Sequence, residues 1–101
     1  MIIPFYYTQE ELKNIFILNN IDLDTGIKEC KEYMALNGWS LSKKRKVSKN
    51  CLVKNNGIFK NIIDFEGWEI HINKRNIIIA SLMETEKDAM IVCIIEAINY
   101  H

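Results

Sequence analysis

Residues 51–65, CLVKNNGIFKNIIDF, contain the turn that decides the fold of this chain. Asn56-Gly57 is the dipeptide most typical of a two-residue type I′ turn, in which both central residues take a positive φ. Apolar residues flank it, so the stretch predicts a β-hairpin with strands over residues 51–53 and 58–65. An antiparallel sheet is therefore the expected centre of the fold.

Further strands are predicted on both sides of this hairpin. The pattern changes from helical to alternating at Trp39, where a strand should begin. After a turn predicted at Glu66-Gly67, residues 68–73, WEIHIN, alternate in the way typical of a strand with one buried face and one face in water. A third turn leads into residues 77–82, IIIASL, which are apolar on both faces. They predict a strand that is central in the sheet or has both of its faces covered by other elements.

Two helices are predicted before the sheet. The first, over residues 8–19, opens with a capping box in which Thr8 and Glu11 satisfy each other's backbone amides. The second begins near residue 24 or 25 and ends at residue 37, where Gly38 supplies a left-handed C-cap. Together they predict a short helical hairpin.

The last segment, residues 85–100, predicts a helix that is apolar around most of its circumference. Thr85 is its predicted N-cap, with Asp88 three residues later. A helix of this kind either lies at the centre of the core or packs against another protein. The second alternative predicts a homodimer through the apolar side chains of this helix. The candidate self-association residues are Met90, Ile91, Ile94, Ile95 and Ile98.

These elements predict a single α+β domain over residues 1–101. We expect an N-terminal helical hairpin, an antiparallel sheet of three to five strands and a C-terminal apolar helix packed on the sheet. A chain of this length buries about two-thirds of the surface that it exposes when unfolded. It therefore has enough core to fold without disulfides or metals.

The composition is that of a globular protein, with 49% hydrophobic and 26% charged residues, and the odd number of cysteines favours a reducing compartment. The longest apolar run, residues 89–95, has seven residues, whereas a membrane-spanning helix needs about 18. The opening MIIPFYYTQE lacks the positive region of a secretory signal. Three widely spaced cysteines predict free thiols rather than a disulfide framework. We therefore expect a soluble, cytoplasmic protein.

The net charge of zero is a cancellation between a basic centre and acidic ends. Residues 1–38 have a net charge of −3, residues 39–60 of +7 and residues 61–101 of −4. Residues 39–60, hereafter the basic segment, contain no acidic residue. Charge separated in this way can steer an oppositely charged partner.

Alternation along the strand that begins at Trp39 would place Lys43 and Arg45 in the core. An unpaired charge in that position costs several kcal/mol. The strand should therefore end, bulge or project near Ser42. We expect residues 43–46 to stand in water as an arm or as the tip of a hairpin.

Three interpretations of the basic segment remain open. Its lysines could protect a sheet edge from pairing with other edges. They could contact an acidic or nucleic-acid-binding surface of a host protein, or RNA or DNA directly. KKRKV, residues 43–47, also resembles a short nuclear-import signal. The candidate partner-binding or nucleic-acid-binding residues are Lys43, Lys44, Arg45, Lys46, Lys49, Lys54 and Lys60.

Stacking partners for bases are not expected near this segment, because alternation assigns Trp39 and Phe59 to the core. Nucleic-acid binding through it should therefore be weak, sensitive to salt and independent of sequence.

Catalytic motifs are missing from the sequence. It has no C-x-x-C, H-E-x-x-H, P-loop, Rossmann glycine pattern or nucleophile elbow. His71 and Glu69 would share the wet face of one strand, where they could exchange a proton or help bind a metal. Cys51 would be a reactive thiol if Lys49 lowered its pKa, or otherwise a small buried residue. We expect no catalysis, no metal and no cofactor.

The element order is an N-terminal segment that could form a strand, two helices, an antiparallel sheet and a terminal helix. It resembles that of the bacterial RelE/ParE-type toxins, which include mRNA-cleaving members. The resemblance implies a small ribonuclease as one alternative. Those toxins tend to be strongly basic with arginine-rich sheet faces, whereas this chain has two arginines and no net charge.

The hypothesis that we prefer from the sequence is a small non-catalytic protein-binding module. Ile, Lys and Asn supply 40 of the 101 residues, which is typical of AT-rich coding DNA. That composition favours a phage or mobile-element accessory protein that inhibits a host defence protein, in the manner of an anti-CRISPR inhibitor.

Overall fold

The computed structural model describes residues 2–20, 22, 24 and 26–100. The elements in chain order are α1 (Gln9–Leu18), α2 (Ile27–Asn37), β1 (Ser40–Asn55), β2 (Ile58–Lys74), β3 (Ile77–Met83) and α3 (Glu86–Asn99). The strands form one antiparallel sheet in the order β1-β2-β3, and α3 packs on it. The predicted α+β class is therefore confirmed. No helix within the described ranges has the length and apolar character needed to cross a membrane.

The predicted N-caps of α1 and α3 are present. The Thr8 hydroxyl accepts from the Glu11 amide at 3.2 Å and donates to the Glu11 carboxylate at 2.9 Å. The Thr85 hydroxyl accepts from the Asp88 amide at 3.1 Å. Each cap satisfies an amide that has no partner inside the helix.

Gly38 ends α2 in the left-handed conformation, with a φ of 79°. Of the two predicted starts of this helix, residue 24 lies before its first turn and residue 25 lies outside the described residues. The helix begins at Ile27, with Gly26 as its N-cap.

The predicted hairpin turn is confirmed. Asn56 and Gly57 have φ values of 51° and 79°, and Asn55 pairs with Ile58 across the turn. Positive φ at both central residues is the defining feature of a type I′ turn. This turn joins β1 and β2 into one long hairpin.

The turn predicted at Glu66-Gly67 is wrong, because β2 runs without a break from Ile58 to Lys74. Gly67 lies inside the strand, opposite Val47. A Cβ at this position would overlap the carbonyl oxygen of Met83 and the ring of Phe65. Close approach of β3, and not a turn, therefore requires the glycine.

A bulge near Ser42 is confirmed, but the arm or hairpin tip predicted for residues 43–46 is wrong. The β1–β2 register shifts between Leu41 and Lys43, and residues 43–46 then pair with residues 68–71 of β2. The Ser42 hydroxyl donates to the His71 carbonyl at 3.2 Å. The extra residue thus reverses which side chains point to each face of the sheet, and the strand continues.

The N-terminal segment, residues 4–6, joins the outer edges of β1 and β3. The Phe5 amide donates to the Ala80 carbonyl at 2.8 Å, and the Tyr6 amide donates to the Lys54 carbonyl at 3.1 Å. Since β1 and β3 lie at opposite sides of β2, one short segment can reach both only if the sheet curls. The curl closes the sheet at this end.

Two apolar clusters lie on opposite faces of this curled sheet. The larger combines the buried residues of all three helices with the helix-facing residues of β2 and β3. The smaller lies inside the curl. Its buried members are Val47, Val53, Phe65 and Leu82.

Helix α3 occupies the centre of the larger cluster, which is one of the two alternatives for so apolar a helix. Four of the predicted self-association residues, Met90, Ile91, Ile94 and Ile95, are buried in this chain's own core. Ile98 is the exposed one of the five. Self-association through this helix stays a prediction.

Candidate interaction surface

All seven predicted binding residues lie on the β1–β2 hairpin. Five of them, from Lys43 to Lys49, are exposed on β1, which is an edge strand of the sheet. Lys54 is half-buried near the end of β1, and Lys60 is exposed on β2. The hairpin therefore gathers the predicted cations on one supersecondary unit.

Three of these cations are paired with carboxylates. The Nζ of Lys44 lies 2.8 Å from Oε1 of Glu86, at the start of α3. The Nε of Arg45 donates to Oε1 of Glu69 at 2.7 Å, and the Nζ of Lys49 lies 3.7 Å from Oε2 of Glu69. Residues 43–46 are exposed, as expected, but Lys44 and Arg45 among them are ion-paired and do not stand free in water.

The other cations differ in their surroundings. The Nζ of Lys54 lies 5.5 Å from the ring centroid of Phe5, a cation–π distance. Among the described residues, Lys43, Lys46 and Lys60 have no carboxylate within 4 Å. These three are the cations most available to a partner.

Glu69 and His71 are buried, at 8% and 9% exposure, so the prediction that they lie on a solvent-exposed face is wrong. Curling of the sheet places this face inside the molecule. His71 Nε2 lies 3.5 Å from Glu69 Oε2 and has no hydrogen-bond partner. Burial lowers the pKa of His71 below its ordinary 6.5, which outweighs the opposite effect of Glu69. The imidazole is therefore neutral at neutral pH.

Glu69 is held by cations on β1. Burial raises the pKa of Glu69, but the hydrogen bond from Arg45 and the charges of Lys49 and Arg45 bring it below the ordinary 4.5. Its carboxylate thus joins the two strands electrostatically. No group of three or more metal-ligating side chains occurs in the part of the chain that the structure describes. The ribonuclease alternative stays a prediction.

The three cysteines are free thiols, as predicted. Burial raises the pKa of Cys30 to about 11 and that of Cys93 to about 12. Burial also raises the pKa of Cys51, and the opposing charge of Lys49 is the smaller effect. The structure therefore gives Cys51 no activation as a nucleophile.

The hairpin also carries a surface that sequence reasoning missed. Four large apolar side chains near its far end are 43–72% exposed, and we call them the hairpin-tip surface. Leu52 and Ile63 line one groove with a volume of about 290 Å³. The members of the hairpin-tip surface are Leu52, Phe59 and Ile63, which share one face of the hairpin by the β1–β2 register, and Ile58, which lies on the opposite face of the same tip.

The core position predicted for Phe59 is wrong, whereas Trp39 is buried as predicted. Alternation indicates which residues share a face but not whether another element covers that face. Phe59 lies between the Asn56-Gly57 turn and the bulge at Asp64, where φ is 55°. This part of the hairpin extends beyond the region where β2 pairs with β3. In the sequence, only the run of apolar residues indicates this surface. A buried strand has the same kind of run, so the two cannot be distinguished.

Apolar side chains next to unpaired lysines are suited to contact a macromolecule whose surface is partly apolar and partly acidic. No protein-family model matches the chain, and neither does any curated protein or solved structure.

Proposed function

We propose that this chain is a non-catalytic protein-binding module, and that the β1–β2 hairpin contacts an acidic partner protein. The exposed hairpin-tip surface is the observation that carries the proposal. Isolated apolar residues are common on protein surfaces, but three on one face of a hairpin tip, with a fourth on its other face, are typical of an interaction site. The composition favours a phage or mobile-element protein that inhibits a host defence protein.

The chemistry of the surface favours a protein partner. Three of its four side chains are aliphatic, and these gain free energy mainly by burial against other apolar groups. Burying one such side chain contributes about 1.5–3 kcal/mol. Lys43, Lys46 and Lys60 on the same hairpin would raise the rate of encounter with an acidic protein.

Capture of a partner from host lysate, followed by reconstitution with the purified partner, tests this proposal. A variant with Phe59→Ser and Ile63→Ser should bind at least about tenfold more weakly, since each substitution removes apolar burial. The matched control is Ile17→Ser with Leu36→Ser, which alters apolar residues on α1 and α2 that are at least as exposed on average.

Two results would contradict the proposal. One is equal binding by the tip variant and the helix variant. The other is recovery of no protein at stoichiometric yield while RNA or DNA co-purifies.

Nucleic-acid binding is the second candidate, and the exposed ring of Phe59 favours it. Phe59 adjoins Lys60 and lies opposite Lys54, so a base stacked on the ring would have cations nearby. A fluorescent single-stranded oligonucleotide should then bind more weakly as salt rises. Replacing Lys43, Lys46 and Lys60 with Gln should reduce both the affinity and the salt dependence. An affinity insensitive to salt and to these substitutions removes this candidate.

A further inference from the structure

The outer edge of β1 has no backbone partner over residues 40–52 within the described ranges. Beyond this stretch, Lys54 is bonded to the N-terminal segment. An open strand edge presents a row of N–H and C=O groups to which another extended chain can bond. Residues 2–4 lie close to residues 49–52, so the open part of the edge, where one more strand could pair with β1, is residues 40–48.

Lys54 shows which backbone groups of β1 point outward. Its N–H donates to the Pro4 carbonyl at 3.0 Å, and its C=O accepts from the Tyr6 amide at 3.1 Å. In an antiparallel strand the same orientation recurs at every second residue. The register shift near Lys49 inserts its extra residue in β2, so β1 keeps this alternation. Counting back along β1 past Leu52 and Asn50, the outward-facing residues of the open edge include Ser48, Lys46 and Lys44.

Charge selects the kind of strand that can pair with this edge. The basic segment contains seven cations and no acid, and Lys43 and Lys46 have no carboxylate within 4 Å in the described chain. Pairing β1 with the β1 of a second copy would place like charges opposite one another, which is destabilising. A strand that carries Asp or Glu would instead neutralise them. Nucleic acid would match the charge but not the backbone groups.

We propose that the outer edge of β1 binds an extended acidic segment of the partner protein as an additional strand. This rests on the proposed function and adds to it, because strand pairing would orient a partner that also contacts the hairpin-tip surface. Lysines on the edge disfavour neutral and basic strands and favour acidic ones. The basic segment thus protects the edge and selects its ligand.

A pair of synthetic peptides tests the proposal. The first is a fluorescent peptide of about ten residues that alternates Glu and Thr, a length suited to one added strand. The second has the same sequence with an N-methyl group on every backbone nitrogen. It keeps every charge and loses the donors along both edges. Fluorescence anisotropy measures the affinity of each peptide for the intact chain.

Variants of the chain separate hydrogen bonding from charge. Ser48→Pro removes one outward N–H and leaves all seven cations in place, and Ser48→Ala is its control. Lys43→Gln with Lys46→Gln removes two cations, and Lys13→Gln with Lys31→Gln is the matched control on the helices. Hydrogen exchange of the wild-type chain adds a readout that needs no variant.

Ser48→Pro should reduce the affinity about tenfold, as expected for losing one hydrogen bond near charged groups. The N-methylated peptide should bind more weakly still, because it lacks every backbone donor. The control variants should bind like the wild type. Exchange of the Lys44, Lys46 and Ser48 amides should slow when the unmodified peptide is added.

Three results would overturn strand pairing at this edge. Equal affinities for the two peptides would show that binding depends on charge and not on backbone hydrogen bonds. Unchanged exchange of the three amides would place the peptide elsewhere. A dimer in sedimentation that Ser48→Pro abolishes would make a second copy the occupant.

The hairpin-tip variant separates this proposal from the proposed function. Phe59→Ser with Ile63→Ser should leave peptide binding unchanged, because neither residue lies in the open edge. Loss of peptide binding with intact partner capture would contradict strand pairing alone. Failed partner capture with intact peptide binding would contradict the proposed function alone.

Discussion

Gly67 illustrates how one residue depends on a contact made by another strand. Next to Glu66, it gives the local signal of a turn, yet it continues β2 opposite Val47. The reason is the approach of β3, whose Met83 carbonyl oxygen occupies the place of a side chain. The ring of Phe65, two residues away, also lies close to this position, but the approach of β3 cannot be inferred from residues near Gly67.

We predict that Gly67→Ala lowers the free energy of unfolding by about 1–3 kcal/mol, because the added methyl group overlaps backbone that cannot easily move. Urea unfolding measures the change. Glu66→Ala, at the neighbouring exposed position, should stay within about 0.5 kcal/mol of the wild type. Equal stability of the two variants would contradict the close approach.

His71 should make stability depend on pH. Its folded-state pKa is lowered below the ordinary 6.5, so the unfolded chain takes up this proton first as the pH falls. The contribution to stability is therefore complete above the unfolded pKa and is lost as the pH falls towards the folded one. Urea unfolding at about pH 7.5 and 5.5 should show lower stability at the lower value.

His71→Gln should remove most of this dependence, because Gln does not titrate. The lowered pKa of Glu69 acts in a separate window, below its ordinary 4.5. A variant whose stability changes with pH as steeply as that of the wild type would show that other groups are responsible.

At the scale of elements, β1 combines a strand edge with a dense row of cations. Alternation correctly indicated that these residues could not simply continue the pattern that starts at Trp39. The bulge at Ser42 and the pairing with Glu69 and Glu86 resolve the conflict. Sequence reasoning identified the problem, but the two carboxylates lie far along the chain and could not be assigned.

Arg45→Gln should destabilise the hairpin by about 1–2 kcal/mol, because it leaves the buried Glu69 carboxylate short of a charge-assisted hydrogen bond. Lys46→Gln is the matched control, since this neighbouring lysine has no carboxylate within 4 Å in the described chain. Urea unfolding compares the two variants. A loss of similar size in both would indicate a general charge effect instead of the Arg45–Glu69 bond.

For the molecule as a whole, residues 4–6 decide the shape of the sheet. Their backbone bonds to both β1 and β3 hold the curl that buries the smaller cluster. The same curl covers Glu69 and His71. A face that would lie in water on a flat sheet is therefore internal.

Phe5→Pro should open this closure, because it removes the amide that donates to the Ala80 carbonyl. We expect faster hydrogen exchange at Lys54 and Leu82, whose amides donate to the Pro4 and Phe5 carbonyls. Phe5→Leu keeps the amide and should leave the exchange of both nearly unchanged. Unchanged exchange in Phe5→Pro would show that the curl does not depend on this segment.

The sequence by itself determined the features that depend on neighbouring residues. The caps at Thr8 and Thr85, the Asn56-Gly57 turn and the end of α2 at Gly38 each follow from groups at most three residues apart. Hydrophobic periodicity added the element types, because it reports which side chains share a face.

Only the tertiary structure decided which of those faces are covered. It buried Glu69 and His71, exposed Phe59, and paired three cations of the basic segment with acids from other elements. The physical reason is that solvent exposure and ion pairing depend on elements distant in sequence, brought together by the curl of the sheet and the position of α3.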